Sequence, residues 1–210
     1  MGMSPASVTK PVRAFLFDIG NVLLRFDFGR TLRALAAKSR VSDPGVLLGA
    51  VDVLKAGYEE GGMDRATFLR EVFALLEFRG SEREFVTAWE EIFEPNLPMV
   101  ALVERLWGRY PLFLLSNTND IHREYIFREY PFFKRFSGGI YSYEVGASKP
   151  GPEIYRIACE RLGLEPEGTF FIDDLLPNIE TARSLGFHAH HYHHAEHEAL
   201  LGALPAEVRV

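Results

Sequence analysis

The segment from Ala14 to Leu23 constrains the fold of this 210-residue chain more than any other. Its apolar start ends directly at Asp18, and Gly20 follows two positions later. The pattern predicts a short buried strand over residues 12–17, with a carboxylate at its tip and a glycine turn behind it. Because a lone carboxylate is costly to bury, we expect Asp18 to be paired with other polar groups or to bind a metal.

Three further polar clusters also follow apolar runs, although they lie far apart in the sequence. They are Ser116–Asn119, Lys149–Pro150 and Asp173–Asp174. A doubly wound sheet gathers the ends of such strands at one edge, where folds of this class bind their ligands. We therefore expect these clusters to meet Asp18 in one site.

Strands and helices alternate along most of the chain, which favours parallel strand pairing. Further strands are expected over residues 112–115, 139–143, 169–172 and 187–192. Residues 29–93 instead show helical periodicity, with Asp64 and the Ser81/Glu84 pair placed as helix N-caps. The predicted fold class is α/β, a doubly wound parallel sheet in a Rossmann-like core with an inserted α-helical cap. The predicted domains are a catalytic core of residues 1–26 and 97–210 and a helical cap of residues 27–96.

Composition excludes several function classes. The net charge is −6 with no basic block, which argues against a nucleic-acid partner. No apolar run approaches the ~20 residues of a membrane helix, and Met1–Lys10 lacks the apolar centre of a signal peptide. Cys159 is the single cysteine, so no intrachain disulfide can form, and its helical setting indicates a small buried apolar residue. We expect a cytoplasmic monomer or homodimer.

The acidic residues predict nucleophilic chemistry with a metal. A carboxylate such as Asp18 can attack phosphorus or carbon and form a covalent intermediate that water later resolves. Asp173 and Asp174 would crowd it, and crowded carboxylates repel one another unless a cation intervenes. Oxygen ligands beside a phosphorylated substrate suit Mg²⁺. Asn178 is expected to hydrogen-bond one of these carboxylates without contacting the metal itself.

The other two clusters suit a phosphate group. The Ser116 hydroxyl and the backbone N–H groups of Asn117 and Thr118 could hold phosphate oxygens. Lys149, which the following proline biases toward an extended backbone, could neutralise Asp18 and the transferring phosphoryl charge. Each residue alone also fits a plainer role: Asp18 and Asp174 as turn or helix caps, Ser116 as a turn residue and Lys149 as a solvated lysine.

The ordered set of Asp18, Ser116, Lys149 and the acid pair resembles the haloacid dehalogenase superfamily over nearly the whole chain. The stretches around these residues look most similar to its branch of bacterial sugar-phosphate phosphatases, such as alpha-D-glucose-1-phosphate phosphatase. The resemblance implies the following roles. Asp18 would be the nucleophile and a Mg²⁺ ligand. The Gly20 backbone carbonyl and the Asp174 carboxylate would bind the metal directly, and Asp173 would be an outer-shell or auxiliary ligand. Ser116 and Asn117 would contact phosphate, and Lys149 would stabilise the negative charge.

One position departs from that family pattern. Most phosphatases of the superfamily carry a second Asp where this chain has Gly20, and that Asp protonates the leaving group and activates water. Losing a general acid–base costs about 10²–10⁴ in rate. The substrate could have an easy leaving group, such as an anomeric oxygen, the chain could have lost phosphatase chemistry, or another residue could substitute. The candidate substitutes are Asp27, His122 and Glu59.

Six histidines close to the C-terminus invite a metal-site hypothesis. They are His188, His190, His191, His193, His194 and His197. No cysteine or carboxylate lies at a familiar transition-metal spacing from them. We therefore expect adventitious Ni²⁺ or Zn²⁺ binding rather than a physiological zinc site.

The leading functional hypothesis is a Mg²⁺-dependent phosphatase that hydrolyses a small phosphorylated metabolite, with a sugar phosphate favoured, through an aspartyl-phosphate on Asp18. A 2-haloacid dehalogenase is an alternative, although Asp173 and Asp174 would repel a substrate carboxylate in a metal-free site. A phosphomutase and a non-catalytic protein that binds a phosphorylated ligand are further alternatives. The substrate itself cannot be read from the sequence.

Overall fold

The computed structural model describes residues 11–40 and 43–208 of the chain. Met1–Lys10, where the sequence predicts no signal peptide, lies outside these residues. The outermost ends of the predicted core lie outside them as well. Within them, no helix is long and apolar enough to cross a membrane.

A five-stranded parallel sheet forms the centre of the molecule, in the order β5-β4-β1-β6-β7. Its strands are β1 (Ala14–Phe17), β4 (Leu112–Ser116), β5 (Gly138–Tyr141), β6 (Thr169–Asp173) and β7 (His188–His191). The chain builds β4 and β5 on one side of β1, then β6 and β7 on the other. The carboxyl ends of β1, β4 and β6 therefore lie side by side, at the point where such sheets bind ligands. This arrangement confirms the predicted fold class.

Both faces of the sheet are covered by helices, so its central strand is apolar throughout. Phe15 and Phe17 pack into the core on one face, while Ala14 and Leu16 pack into the core on the other. Strands of parallel sheets are buried on both faces and therefore form continuous apolar runs. The covering helices are α5 (Leu97–Leu106), α6 (Asp120–Glu129), α7 (Ser142–Val145), α8 (Pro152–Leu162), α9 (Leu176–Ser184) and α10 (His197–Ala203).

Four helices between β1 and α5 form a unit with its own apolar core, here called the helical insertion. They are α1 (Phe28–Ala36), α2 (Pro44–Glu59), α3 (Arg65–Leu76) and α4 (Glu82–Glu90). Phe68, Phe85 and Trp89 are completely buried at its centre. The predicted caps are confirmed: Asp64 accepts from Thr67 N, and Ser81 and Glu84 form a capping box. The exact domain limits at residues 27 and 96 stay a prediction.

A short antiparallel ribbon joins the helical insertion to the rest of the molecule. It pairs β2 (Leu24–Phe26) with β3 (Phe93–Pro95). The sequence pattern did not predict this ribbon, because three-residue strands are too short to show alternation. The chain therefore enters and leaves the helical insertion at adjacent points.

Helix α6 also contacts the helical insertion. Ile121 lies in the apolar core of the insertion. Asp120 accepts a hydrogen bond from the Tyr58 hydroxyl of α2, and His122 lies 2.9 Å from the Trp89 carbonyl of α4. The insertion is thus fastened to the helix that directly follows the Ser116–Asn119 loop.

Candidate active site

A buried lysine between two carboxylates forms the centre of the site. The Lys149 ammonium lies 2.8 Å from Asp18 Oδ1 and 2.6 Å from Asp173 Oδ2. The Lys149 side chain is only 2% exposed. Buried charges of this kind are tolerated only when they are paired. The plain alternative of a solvated loop lysine is therefore wrong.

Asn117 holds this lysine in place through its side chain. Its amide nitrogen donates to the Lys149 carbonyl, and its amide oxygen accepts from the Lys149 backbone N–H, both at 2.9 Å. Thr118 N–H donates to the Ser142 hydroxyl at 3.0 Å. The expectation that Thr118 N–H contacts phosphate is therefore not supported, because Ser142 already satisfies it. For Asn117, only the backbone N–H stays a candidate phosphate contact.

Asp18, Asp173 and Asp174 bring carboxylate oxygens within 4.8 Å of one another. Burial raises the pKa of Asp18 to about 7, an effect that Lys149 opposes and that Asp173 and Asp174 reinforce. Burial also raises the pKa of Asp174, while a hydrogen bond from Asn21 lowers it. A divalent cation would favour the charged form of all three groups.

The three carboxylates differ in how many of their oxygens are free. Asp173 Oδ2 contacts Lys149, and Asp173 Oδ1 accepts from Leu175 N and from Asn178 Nδ2, each at 2.8 Å. Asp174 accepts a hydrogen bond from Asn21 Nδ2 at 3.1 Å and has no ion pair within the described residues. Asp18 and Asp174 therefore keep oxygens for a metal, whereas Asp173 supports its neighbours. The donor set fits Mg²⁺, which prefers oxygen ligands.

A cavity of about 310 Å³ opens over these residues. Ser116, buried at the end of β4, lines it together with Asp18, Gly20 and Lys149. The helical insertion and its ribbon contribute the opposite wall. Sequence reasoning missed the residues of that wall, which are Phe26, Phe28, Lys55, Ile92 and Phe93.

Two of the three candidate substitutes for the missing acid–base have other roles in the structure. Asp27 caps α1 by accepting from Gly29 N at 2.8 Å and does not line the described cavity. His122 lines the cavity, but Asn119 contacts its Nδ1 at 3.2 Å and the Trp89 carbonyl contacts its Nε2 at 2.9 Å. Burial lowers the pKa of His122 to about 3. The geometry therefore does not support Asp27 or His122 as the substitute.

Glu59, the third candidate, lies at the C-terminal end of α2 and lines the cavity. Its side chain is 16% exposed, and Lys55 Nζ lies 3.0 Å from its carboxylate. Burial raises its pKa, and the nearby Lys55 and Asn119 side chains partly offset that rise.

The C-terminal histidines form no metal cluster among the described residues, where the three aspartates are the one metal-capable group. His191 donates from Nε2 to the Asp174 carbonyl at 2.9 Å. Cys159 is only partly buried, against the expectation of a fully buried residue, and burial raises its thiol pKa.

The buried lysine, the three converging carboxylates and the open cavity suit a hydrolase, and comparison with known proteins identifies the family. The model of the haloacid dehalogenase-like hydrolases matches residues 12–186. The chain belongs to this family.

A relative and a solved structure, both from Bacteroides thetaiotaomicron, match most of the chain. The D-ribitol-5-phosphate phosphatase is 26% identical over 185 residues, which are 84% of this chain and 89% of the relative. A crystal structure of a HAD (haloacid dehalogenase) family enzyme shares 27% sequence identity with this chain and superposes with a TM-score of 0.82. The match covers 92% of this chain and 99% of the crystallised chain. That enzyme has also been solved with magnesium and inorganic phosphate, with a TM-score of 0.76 over 88% of this chain and 96% of its own.

More distant structures share the fold alone. The L-2-haloacid dehalogenase from Xanthobacter autotrophicus is 17% identical, with a TM-score of 0.61 over 85% of this chain and 76% of its own. The predicted likeness to the glucose-1-phosphate phosphatase branch is not supported. The relative that matches most of the chain is named for a different phosphate ester, D-ribitol 5-phosphate.

Proposed function

We propose that this protein is a Mg²⁺-dependent phosphatase that hydrolyses a small phosphorylated metabolite, most specifically a sugar or sugar-alcohol phosphate. The observation that carries the proposal is the convergence of three carboxylates beside the buried Lys149 ammonium. Asp18, Asp174 and Lys149 line the cavity, and Asp173 lies buried behind them. Three acids and one lysine can hold a cation and a phosphate together, whereas an anion alone would be repelled.

In the proposed reaction, an Asp18 oxygen attacks the phosphorus and the bond to the leaving oxygen breaks. The product of this step is an alcohol and a phosphorylated Asp18, and water then attacks the phosphorus to release inorganic phosphate and free Asp18. Lys149 offsets the negative charge of the transferring group. Asp18, Asp174 and the Gly20 carbonyl would hold Mg²⁺, which supplies charge neutralisation.

Ser116 and the Asn117 N–H are the proposed phosphate contacts, because Ser116 ends the strand next to β1 and lines the cavity with Asn117. Asp173 and Asn178 keep a supporting role in this proposal. Their mutual hydrogen bond and the Asp173–Lys149 ion pair fix the lysine relative to the nucleophile.

The substrate class rests on the cavity wall and on the relative. We propose that residues 27–96 act as a cap that selects the substrate, since their aromatic rings and the Lys55–Glu59 pair face the cavity. Aromatic faces suit the C–H surface of a carbohydrate, and a Lys–Glu pair offers both a donor and an acceptor to hydroxyl groups. The ribitol-phosphate phosphatase relative is consistent with this class.

The test is phosphate release from sugar phosphates, sugar-alcohol phosphates, nucleotides and p-nitrophenyl phosphate. The protein is stripped of metal and carries no affinity tag, and Mg²⁺ is compared with EDTA. We expect turnover that requires Mg²⁺ and is abolished in Asp18→Asn, with Asp27→Asn as the matched control, because Asp27 lies outside the described cavity lining. Full turnover by folded Asp18→Asn would refute the mechanism. Halide release without Mg²⁺ would establish a dehalogenase instead.

A further inference from the structure

The proposed reaction needs a proton donor for the leaving oxygen, and the position expected to supply it has no side chain. A Cβ added at Gly20 would lie 3.2 Å from Phe26 Cε1, in the space at the ribbon edge. The phenylalanine therefore fills part of the region that a side chain at position 20 would enter. An alkoxide leaving group still requires a proton, so another acid must reach the cavity.

Most titratable side chains that line the described cavity already have a buried partner or a role in the proposed reaction. Lys149 is paired with Asp18 and Asp173, and the ring nitrogens of His122 both have partners. In the proposed function Asp18 attacks phosphorus and Asp174 binds the metal. The remaining titratable groups on the described lining are Glu59 and Lys55, which pair with each other at 3.0 Å and have no other part in the proposed reaction.

We infer that Glu59 of the helical insertion is the general acid and base of the reaction, supplied from across the cavity in place of a side chain at position 20. This inference rests on the proposed phosphatase function. In the first step the Glu59 carboxylic acid gives its proton to the leaving oxygen as the phosphorus–oxygen bond breaks. In the second step the Glu59 carboxylate takes a proton from the attacking water, which restores the acid.

The structure fixes Glu59 firmly enough for this role. The preceding residue, Tyr58, hydrogen-bonds Asp120 of α6. Two residues later, Gly61 has φ +74° and lies so close to the core that a Cβ would be 2.7 Å from the Tyr143 carbonyl. The C-terminal end of α2 is therefore anchored on both sides of Glu59.

The electrostatic surroundings also suit proton exchange. Burial favours the protonated acid, while Lys55 and Asn119 favour the carboxylate, and Asp52 on the same helix slightly favours the acid. Because burial outweighs the other influences, the pKa of Glu59 lies above its usual range, which favours the protonated form that a general acid must supply.

Glu59→Gln tests the inference, with Glu60→Gln as the matched control because Glu60 is exposed at the end of the same helix. On a sugar phosphate, Glu59→Gln should lower kcat by about 10²–10⁴-fold. On p-nitrophenyl phosphate, whose leaving group needs no proton, Asp18 should still be phosphorylated quickly. Hydrolysis should then stall, giving a burst of one p-nitrophenolate per active site and a phosphorylated protein in acid-quenched mass spectra. Glu59→Asp, which keeps an acid, should hydrolyse this phosphorylated protein faster than Glu59→Gln.

The outcomes separate this inference from the function on which it rests. If the wild-type protein lacks Mg²⁺-dependent turnover that requires Asp18, the proposed function fails. If the wild-type protein is active and Glu59→Gln keeps its kcat on the sugar phosphate within about two-fold, far from the loss expected of a general acid, only the Glu59 assignment is overturned. An equal loss with both substrates and no burst also overturns it, since that pattern indicates general damage to the site.

Discussion

Replacing Asp18 by Asn should stabilise the metal-free fold even though it removes the proposed nucleophile. Asn has nearly the same shape but cannot ionise, whereas burial raises the pKa of Asp18 from 3.8 to about 7. The Lys149 ammonium, 2.8 Å away, lowers that pKa by less than burial raises it. Without a metal, the charged form of Asp18 is therefore a net cost to the folded state.

The size and sign of the effect follow from this shift. Each pKa unit corresponds to about 1.4 kcal/mol, so the rise from 3.8 to about 7 amounts to about 4 kcal/mol. Because the folded pKa lies above the unfolded one, the folded state binds the proton more tightly. The wild-type protein therefore loses this stability as the pH rises between the two values, and the variant does not.

The assay is urea unfolding of both proteins in EDTA, from about pH 5 to about pH 8. Burial lowers the pKa of His122 to about 3, which gives an opposite pH slope, but that slope is common to both proteins. The difference between the proteins should grow with pH and favour Asp18→Asn by up to about 4 kcal/mol above pH 7. Equal slopes, or a less stable variant at pH 8, would refute the reasoning. Added Mg²⁺ should stabilise the wild-type protein more than the variant.

Two further predictions concern the groups around the nucleophile. Lys149→Met leaves Asp18 and Asp173 without their shared countercharge, and it should lower the free energy of unfolding at pH 8 by about 3–5 kcal/mol in urea titrations. An unchanged free energy of unfolding would show that the ion pairs of Lys149 do not stabilise the folded state. Asn178→Ala removes one hydrogen bond to Asp173 and should weaken Mg²⁺ binding about 10-fold or more, measured by the Mg²⁺ dependence of the Tm. An unaltered Mg²⁺ midpoint would contradict the supporting role of Asn178.

The parallel sheet could be predicted from the sequence because its strands are buried on both faces. Four consecutive apolar residues before Asp18 indicate such a strand, and the fully buried Phe15, Leu16 and Phe17 confirm it. The ribbon of β2 and β3 could not be predicted, because each strand has three residues and β3 ends in Pro95. Pairing of such short strands depends on contacts between distant parts of the chain.

The floor of the site could also be predicted in large part, since Asp18, Ser116 and Asp174 lie at the ends of strands of the sheet. Lys149 instead follows α7, where no strand end marks its place. Most of the opposite wall could not be predicted, although Glu59 was among the candidate acid–base residues. Lys55 and Glu59 are four residues apart on a helix, a spacing typical of solvated surface pairs. Their placement in the cavity depends on how α2 packs against α6. The side-chain role of Asn117 could not be predicted either, because its hydrogen bonds to the Lys149 backbone join parts of the chain 32 residues apart.

Helix α6 is attached to both parts of the molecule, which under the proposed function limits how substrate preference can change. Helix α6 carries Ile121 into the apolar core of the insertion, and its N-cap, Asn119, belongs to the loop that begins with Ser116. Exchanging the helical insertion with that of a relative would leave Ile121 and Asp120 facing foreign surfaces. A chimera that transfers α6 together with residues 27–96 should therefore retain its fold better than one that transfers those residues alone. Under the proposed function, the part of this chain that sets substrate preference therefore includes α6 as well as the inserted segment.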